Sequence, residues 1–207
     1  MAGDGGAWES PRARAACLLV LVSGYPASGK TTLARPLAAS CGWPLVSRDE
    51  YKEFLFDQLG TGDRDWSRRI GSASWEMMRR AVELVMGTRS PLVAEANFGP
   101  SARGWLRDAV TRFGYATAEI SLAAPPAVLL ERFVDRDASG ERHPGHVQEE
   151  GWAEQRERVR VPYRPVALGP VLVLDSEAPP AHLLGRARAW LAGVGATSAA
   201  GPEPRGR

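Results

Sequence analysis

Six apolar residues, Cys17-Leu-Leu-Val-Leu-Val22, run through Ser23 into Gly24-Tyr-Pro-Ala-Ser-Gly-Lys-Thr31, and a helical pattern, Thr32-Leu-Ala-Arg-Pro-Leu-Ala-Ala-Ser40, follows at once. A strand, a glycine-bounded turn and a helix in that order leave few folds open. Gly24 and Gly29 let the backbone curl so that successive N–H groups point inward at an anion, where a side chain would block the approach. The spacing G-x-x-x-x-G-K-[ST] is that of a phosphate loop, and a nucleoside triphosphate is the expected ligand. Tyr25, Pro26, Ala27 and Ser28 occupy its variable places. Lys30 supplies a point charge for the β- and γ-phosphates and Thr31 a hydroxyl for Mg²⁺, while the helix that continues through Thr32 turns its positive end to the anion. Pro36, inside this helix, is expected to kink or shorten it.

The 207 residues suffice for one α/β core, and 44% hydrophobic with 24% charged residues is the balance of a globular domain. Against 26 basic side chains stand 24 acidic ones, a net charge of +2, so no global field points to long nucleic acid or a membrane surface. The two cysteines, Cys17 in the first strand and Cys41 after the first helix, make neither a metal spacing nor a disulfide framework and are expected to be core thiols in a reducing compartment. Arg12 and Arg14 before the apolar run imitate an export signal, but cleavage there would remove the strand that presents the phosphate loop. A cytoplasmic location is therefore expected. No apolar run approaches the roughly 18 residues that cross a bilayer.

Residues 1–15 and 194–207 read as disordered tails around one domain at 16–193. Within it, strand patterns at Cys17–Ser23, Pro44–Ser47, Leu92–Glu95, Tyr115–Leu122 and Val171–Asp175 alternate with helical patterns at Gly29–Ser40, Glu50–Gln58, Ser67–Met86, Ser101–Phe113, Pro126–Asp135, Val147–Arg158 and Ala181–Leu191. The rhythm predicts an α/β P-loop NTPase fold: a five-stranded, mostly parallel sheet flanked by helices. The polar, glycine- and proline-bearing stretch at about 135–150 predicts a mobile helical lid.

Several residues outside the loop are placed for chemistry. The strand Pro91-Leu-Val-Ala-Glu95 ends in a carboxylate followed by Asn97, and both should emerge at the C-terminal strand ends, where parallel α/β folds bind ligands. Glu95 is expected to hold the acceptor, or Mg²⁺ through water, and Asn97 to hydrogen-bond the acceptor. Asp175 also closes an apolar strand and is expected to be structural. Arg132 and Arg136, four apart on a helix, share a face and are expected to close over the triphosphate and neutralise charge developing in the transition state, with Arg142 beyond them. The competing reading is a solvated helix face pairing Arg132 and Arg136 with Glu131 and Asp135. His143 and His146 have an H-x-x-H spacing, but without a third ligand nearby a metal site is not expected. Trp75, Met78, Val82 and Val85 fall on one helical stripe and are expected to be buried.

The motifs at 24–32, Ser-Arg-Asp-Glu-Tyr-Lys at 47–52, Glu-Ala-Asn-Phe at 95–98 and the arginines at 131–146 together resemble P-loop kinases of the polynucleotide-kinase and zeta-toxin-like group, close to small kinases labelled AAA-type ATP-binding proteins, over Leu18 to Ser176. The resemblance implies that Asp49 activates an acceptor hydroxyl and accepts its proton, with Arg48 and Lys52 flanking it to hold substrate phosphate; Lys52 stands where the polynucleotide kinase has arginine. Asp49 is alternatively a helix cap for Glu50 onward. The resulting expectation is an ATP- and Mg²⁺-dependent kinase with a small-molecule hydroxyl acceptor such as a nucleoside, sugar or antibiotic. A 5'-hydroxyl polynucleotide kinase is the second reading, and a non-kinase NTPase or nucleotide-binding module the third.

Overall fold

The computed structural model describes residues 17–99, 101–140, 143–146 and 149–199. Five strands, β1 (Leu18–Gly24), β2 (Leu45–Ser47), β3 (Leu92–Glu95), β4 (Ala116–Ala123) and β5 (Val171–Asp175), form one all-parallel sheet in the order β2-β3-β1-β4-β5. The helices are α1 (Lys30–Cys41), α2 (Arg48–Leu59), α3 (Arg64–Gly87), α4 (Ala102–Phe113), α5 (Pro126–Ala138), α6 (Glu149–Val159) and α7 (Pro180–Ala199).

The central strand shows why both faces are covered. Because strand side chains alternate, Leu18, Val20 and Val22 enter one core with Leu33, Leu37, Leu183 and Ala187 of α1 and α7, while Leu19 and Leu21 enter the other with Met78, Val82, Met86 and Leu106 of α3 and α4. Each such buried aliphatic side chain contributes roughly 1.5–3 kcal/mol of transfer free energy. The register brings Val22, Glu95 and Ser47 level across β1, β3 and β2, so the strand ends share one edge and the loops after them share one crevice.

Most element ends lie within three residues of the sequence expectation, and some features differ from it. The first helix is not shortened at Pro36 but runs to Cys41; both Pro36 and Thr32, whose carbonyl loses its partner there, are exposed, so the lost bond leaves no polar group buried. α7 continues to Ala199, beyond the expected tail boundary at 194, because Ala196 and Ala199 favour helix and no proline intervenes before Pro202. Residues 1–16 and 200–207 lie outside the described part. Cys17 precedes β1 rather than joining it, and both cysteines are half-buried at the margins of the two cores. Of the predicted stripe on α3, Met78 and Val82 are fully buried, whereas Trp75 and Val85 are partly exposed.

No helix among the described residues is long and apolar enough to cross a membrane.

Candidate active site

The turn from β1 to α1 is a concave strip of backbone. Gly24 has φ 142°, and a Cβ there would lie 2.6 Å from both the Leu122 carbonyl oxygen and Ser28 Oγ, so only glycine lets β1 leave β4 at this point. Ala27 (φ 63°) and Gly29 (φ 84°) are both left-handed, the alternation that turns successive N–H groups into an anion cradle. Lys30 lies under this strip, 6% exposed, and its Nζ donates to the Tyr25 carbonyl at 2.8 Å. Burial pulls its pKa below the ordinary lysine range, and the nearby carboxylates Glu95 and Asp49 only partly restore it. A buried ammonium that donates to a neutral carbonyl beneath a strip of inward-turned N–H groups suits a polyanion. The residues fit a triphosphate on this ground.

Across from the cradle, Glu95 is 1% exposed at the end of β3. Ser47 Oγ donates to its Oε2 at 2.7 Å and Thr31 Oγ1 to the same oxygen at 3.4 Å. Burial raises the Glu95 pKa, opposed by the positive charge of Lys30 and by these hydroxyls. Thr31 and Glu95 together offer the hydroxyl and carboxylate oxygens that suit Mg²⁺. No cluster of three or more His, Cys, Asp or Glu side chains able to hold a metal occurs among the described residues. A Mg²⁺ here would therefore be held chiefly by phosphate and water, its usual mode.

Asp49 is in the first turn of α2, not at its cap: the helix begins at Arg48 with Ser47 in the capping place. The capping alternative for Asp49 thus fails, because Ser47, still extended from β2, occupies that place. Half-exposed in the cleft, the Asp49 carboxylate accepts from Arg48 Nη1 at 3.3 Å. Arg48 is held from behind. Its Nη2 donates to the Gly71 carbonyl at 3.3 Å and its guanidinium stacks 5.1 Å from the Trp75 ring centroid. A Cβ on Gly71 would come within 3.2 Å of Nη2, so the gap in α3 is what admits the guanidinium. Burial and the positive charge of Arg158 lower the Arg48 pKa from its usual value, against the opposing effect of Asp49. Lys52, one turn on, donates to Ser67 Oγ at 3.3 Å and lies over Phe56.

The loop residues Ala27 to Thr31 line one cleft of about 1000 Å³ together with Ser47, Arg48, Asp49, Lys52 and Arg158, whereas Glu95 is buried behind Ser47 and Thr31. Asn97, Arg132 and Arg136 also line it. The two arginines part company there. Arg132 Nη1 and Nη2 donate to Ser176 Oγ and to the Ser176 carbonyl, each at 3.0 Å, which ties α5 to the turn after β5. Arg136 is exposed in the cleft, near enough to Lys30 to oppose its charge. Neither pairs with Glu131 or Asp135. Arg142 lies outside the described residues. Asp175 is exposed and accepts from the Glu177 N–H at 3.0 Å, a local turn role.

Within the stretch expected to be a lid, residues 143–146 lie against α2. His143 stacks on Phe56 and its Nε2 is 3.0 Å from Asp57 Oδ1, while His146 Nε2 is 3.4 Å from Glu53 Oε1. Since the Gly145 N–H donates to His143 Nδ1, the hydrogen of the neutral ring sits on Nε2 and points to Asp57.

Sequence reading missed three groups. Trp75, read only as core, supports Arg48. Gln155 and Arg158 on α6 line the cleft, and only their three-residue spacing hinted at a shared face. Glu119, 2% exposed in β4, accepts from Ser23 Oγ at 2.6 Å and from the backbone N–H groups of Val166 and Ala167 at 3.2 and 2.8 Å. It thereby pins the segment 161–168 beneath the phosphate loop, where the Tyr25 hydroxyl donates to the Val161 carbonyl at 2.6 Å and Tyr163 packs edge-on against Tyr25. Burial, foremost, pushes the Tyr163 phenol up to about 12.

The chain is similar to several solved structures. A protein of Chloroflexus aurantiacus described as a candidate kinase is 33% identical over 85% of this chain and 98% of its own, with a TM-score of 0.76. A gluconokinase from Sinorhizobium meliloti (21% identity, 90% and 96% covered, TM-score 0.55) and a sugar kinase from a Janibacter species (20%, 84% and 94%, 0.54) share the fold. No curated protein sequence matches the chain. A family profile described as an AAA domain matches residues 19–162, well over half of the sequence. With the phosphate loop, the parallel sheet and this match together, the chain belongs to that AAA domain family.

Proposed function

We propose that this protein is an ATP-dependent kinase that transfers the γ-phosphoryl group to a hydroxyl of a small molecule. The observation that carries the reading is that Lys30 and Asp49 line one cleft, with Glu95 buried beside them and both carboxylates close enough to raise the lysine's pKa against its burial. A switch or motor NTPase needs a water-positioning site. Here the half-exposed Asp49 instead shares with Lys30 a cleft of about 1000 Å³, a size that suits an acceptor beside the triphosphate.

In the proposed reaction the phosphate-loop amides and Lys30 bind the triphosphate, and Asp49 orients the acceptor hydroxyl. The acceptor oxygen bonds to the γ-phosphorus as the bond to the β,γ-bridging oxygen breaks, ADP departs, and the hydroxyl proton passes to the Asp49 carboxylate and then to water. Thr31 and Glu95 would hold Mg²⁺, which when bound supplies charge to the phosphate oxygens. Arg136, on the open side of the cleft, adds positive charge where the transferring group becomes more negative, and Arg132 fixes the helix that carries it. Arg48 and Lys52 flank the acceptor. The kinase names borne by structural neighbours agree with this reading, as does the resemblance to the polynucleotide-kinase group on Arg48 and Asp49.

The test is transfer of ³²P from γ-labelled ATP to pooled sugars, sugar acids, nucleosides and 5'-hydroxyl oligonucleotides. Labelled small-molecule product is the expected result. Labelling of oligonucleotides with an affinity that falls steeply with salt would move the acceptor to nucleic acid, and release of phosphate with no acceptor labelled would overturn the kinase reading.

A further inference from the structure

Four buried side-chain atoms in the cleft walls have no hydrogen-bond partner: Ser28 Oγ, Arg48 Nε, Asn97 Oδ1 and Gln155 Nε2. Ser28 belongs to the phosphate loop, and Arg48 is satisfied through its other nitrogens. The two carboxamides remain. Gln155 is the sharper case, because its whole residue is only 3% exposed. A leucine or methionine of like volume would fill that place without forfeiting the hydration of an amide, so the free protein gains nothing from glutamine there.

Gln155 sits on α6 three residues before Arg158, on the same helix face, and Arg158 is close enough to Arg48 to lower its pKa. That face is therefore turned toward the start of α2, where Asp49 receives the hydroxyl. Both amides line the same cleft, and their chemistry narrows what molecule could answer the two together. Phosphate or carboxylate oxygens only accept and leave Asn97 Oδ1 unanswered, while an ammonium only donates and leaves Gln155 Nε2 unanswered. A hydroxyl does both, and it serves either amide whichever way its oxygen and nitrogen are turned.

We propose that Gln155, with Asn97, is a specificity-determining pair that reads hydroxyls neighbouring the one phosphorylated, so that the acceptor is a small polyol-type molecule with adjacent hydroxyl groups. This deepens the kinase reading and rests on it. Nε2 is shut from water in the present arrangement, and an acceptor hydroxyl meets it as the α6 wall gives way to the bound molecule.

The test compares ³²P transfer to matched acceptors: glucose beside 2-deoxyglucose, a ribonucleoside beside its 2'-deoxy form, and glycerol beside 1-propanol. The wild-type chain is expected to prefer the intact member of the pair it accepts by about ten-fold or more in kcat/KM. In Gln155→Leu that preference collapses through a higher KM for the intact acceptor, while the melting temperature stays level or rises. Gln155→Met, unbranched, gives the same readout should leucine disturb α6. Wild-type transfer that ignores the neighbouring hydroxyl, or a preference that survives in both variants, would overturn the proposal. Failure of the wild type to label any alcohol removes the kinase reading itself, and with it this one.

Discussion

The phosphate loop takes its shape from eight consecutive residues, Gly24 to Thr31, whereas the wall facing it draws Arg48 and Asp49 from α2, with Gly71 and Trp75 of α3 holding Arg48 from behind, Asn97 from beyond β3, and Gln155 and Arg158 from α6. One half is made of backbone and the other of side chains. A backbone cradle recognises any polyphosphate and is set by local conformation, so it can be written in a short motif. A wall assembled from four segments recognises a particular partner and exists only once the chain has folded. Variation among relatives that keep the sheet can therefore change the acceptor without touching the donor end.

The largest effect expected breaks the cradle half. Lys30→Ala should lower phosphoryl transfer by about three orders of magnitude or more, since it removes the buried ammonium of the phosphate loop; initial-rate assays that find less than a ten-fold loss would detach the lysine from the reaction. Asp49→Asn tests the other half. It should slow transfer by about 10²–10³-fold while nucleotide affinity, read by calorimetry, changes little.

A smaller, graded effect follows from the depressed pKa of Lys30. The unfolded chain keeps this proton to higher pH than the folded one does, so the group's contribution to stability rises with pH between the two pKa values. ATP binding has the opposite dependence, because it needs the charged form. Affinity should fall by up to about ten-fold per pH unit above the depressed value, and calorimetry in buffers of different ionisation heat should register proton uptake on binding. The smallest effect is at Gly71→Ala: the added methyl nudges the Arg48 guanidinium by a few tenths of an ångström and should raise the acceptor KM a few-fold, while the helix gains up to about 1 kcal/mol. An unchanged KM would mean that Arg48 does not set the acceptor.

Legibility in the sequence follows the same division. Strand alternation and the G-x-x-x-x-G-K-T spacing sufficed for the sheet, for the place of Lys30 and Thr31, and for the emergence of Asn97 at the crevice, whereas Glu95, expected to emerge beside it, stays buried behind Ser47 and Thr31. Asp49 and Arg48 were reached only through resemblance, because a carboxylate at a helix start reads equally well as a cap. Trp75 was hidden by its helical period, which is that of any core residue. Glu119 gave no signal, since its partners are backbone groups 47 and 48 residues away. Arg132 and Arg136 share a helix face as expected, yet the depth of the cleft and the nearness of Ser176 separate their contacts, which spacing alone does not encode.

The segment that follows α6 is fastened at both levels: Glu119 grips its backbone from the sheet, and the Tyr25 hydroxyl holds Val161 from the loop above. The helix bearing Gln155 and Arg158 is thus moored at its C-terminal end to the nucleotide cradle itself. In the proposed reaction the loop that takes the triphosphate and the helix that faces the acceptor are thereby joined through one short stretch of chain.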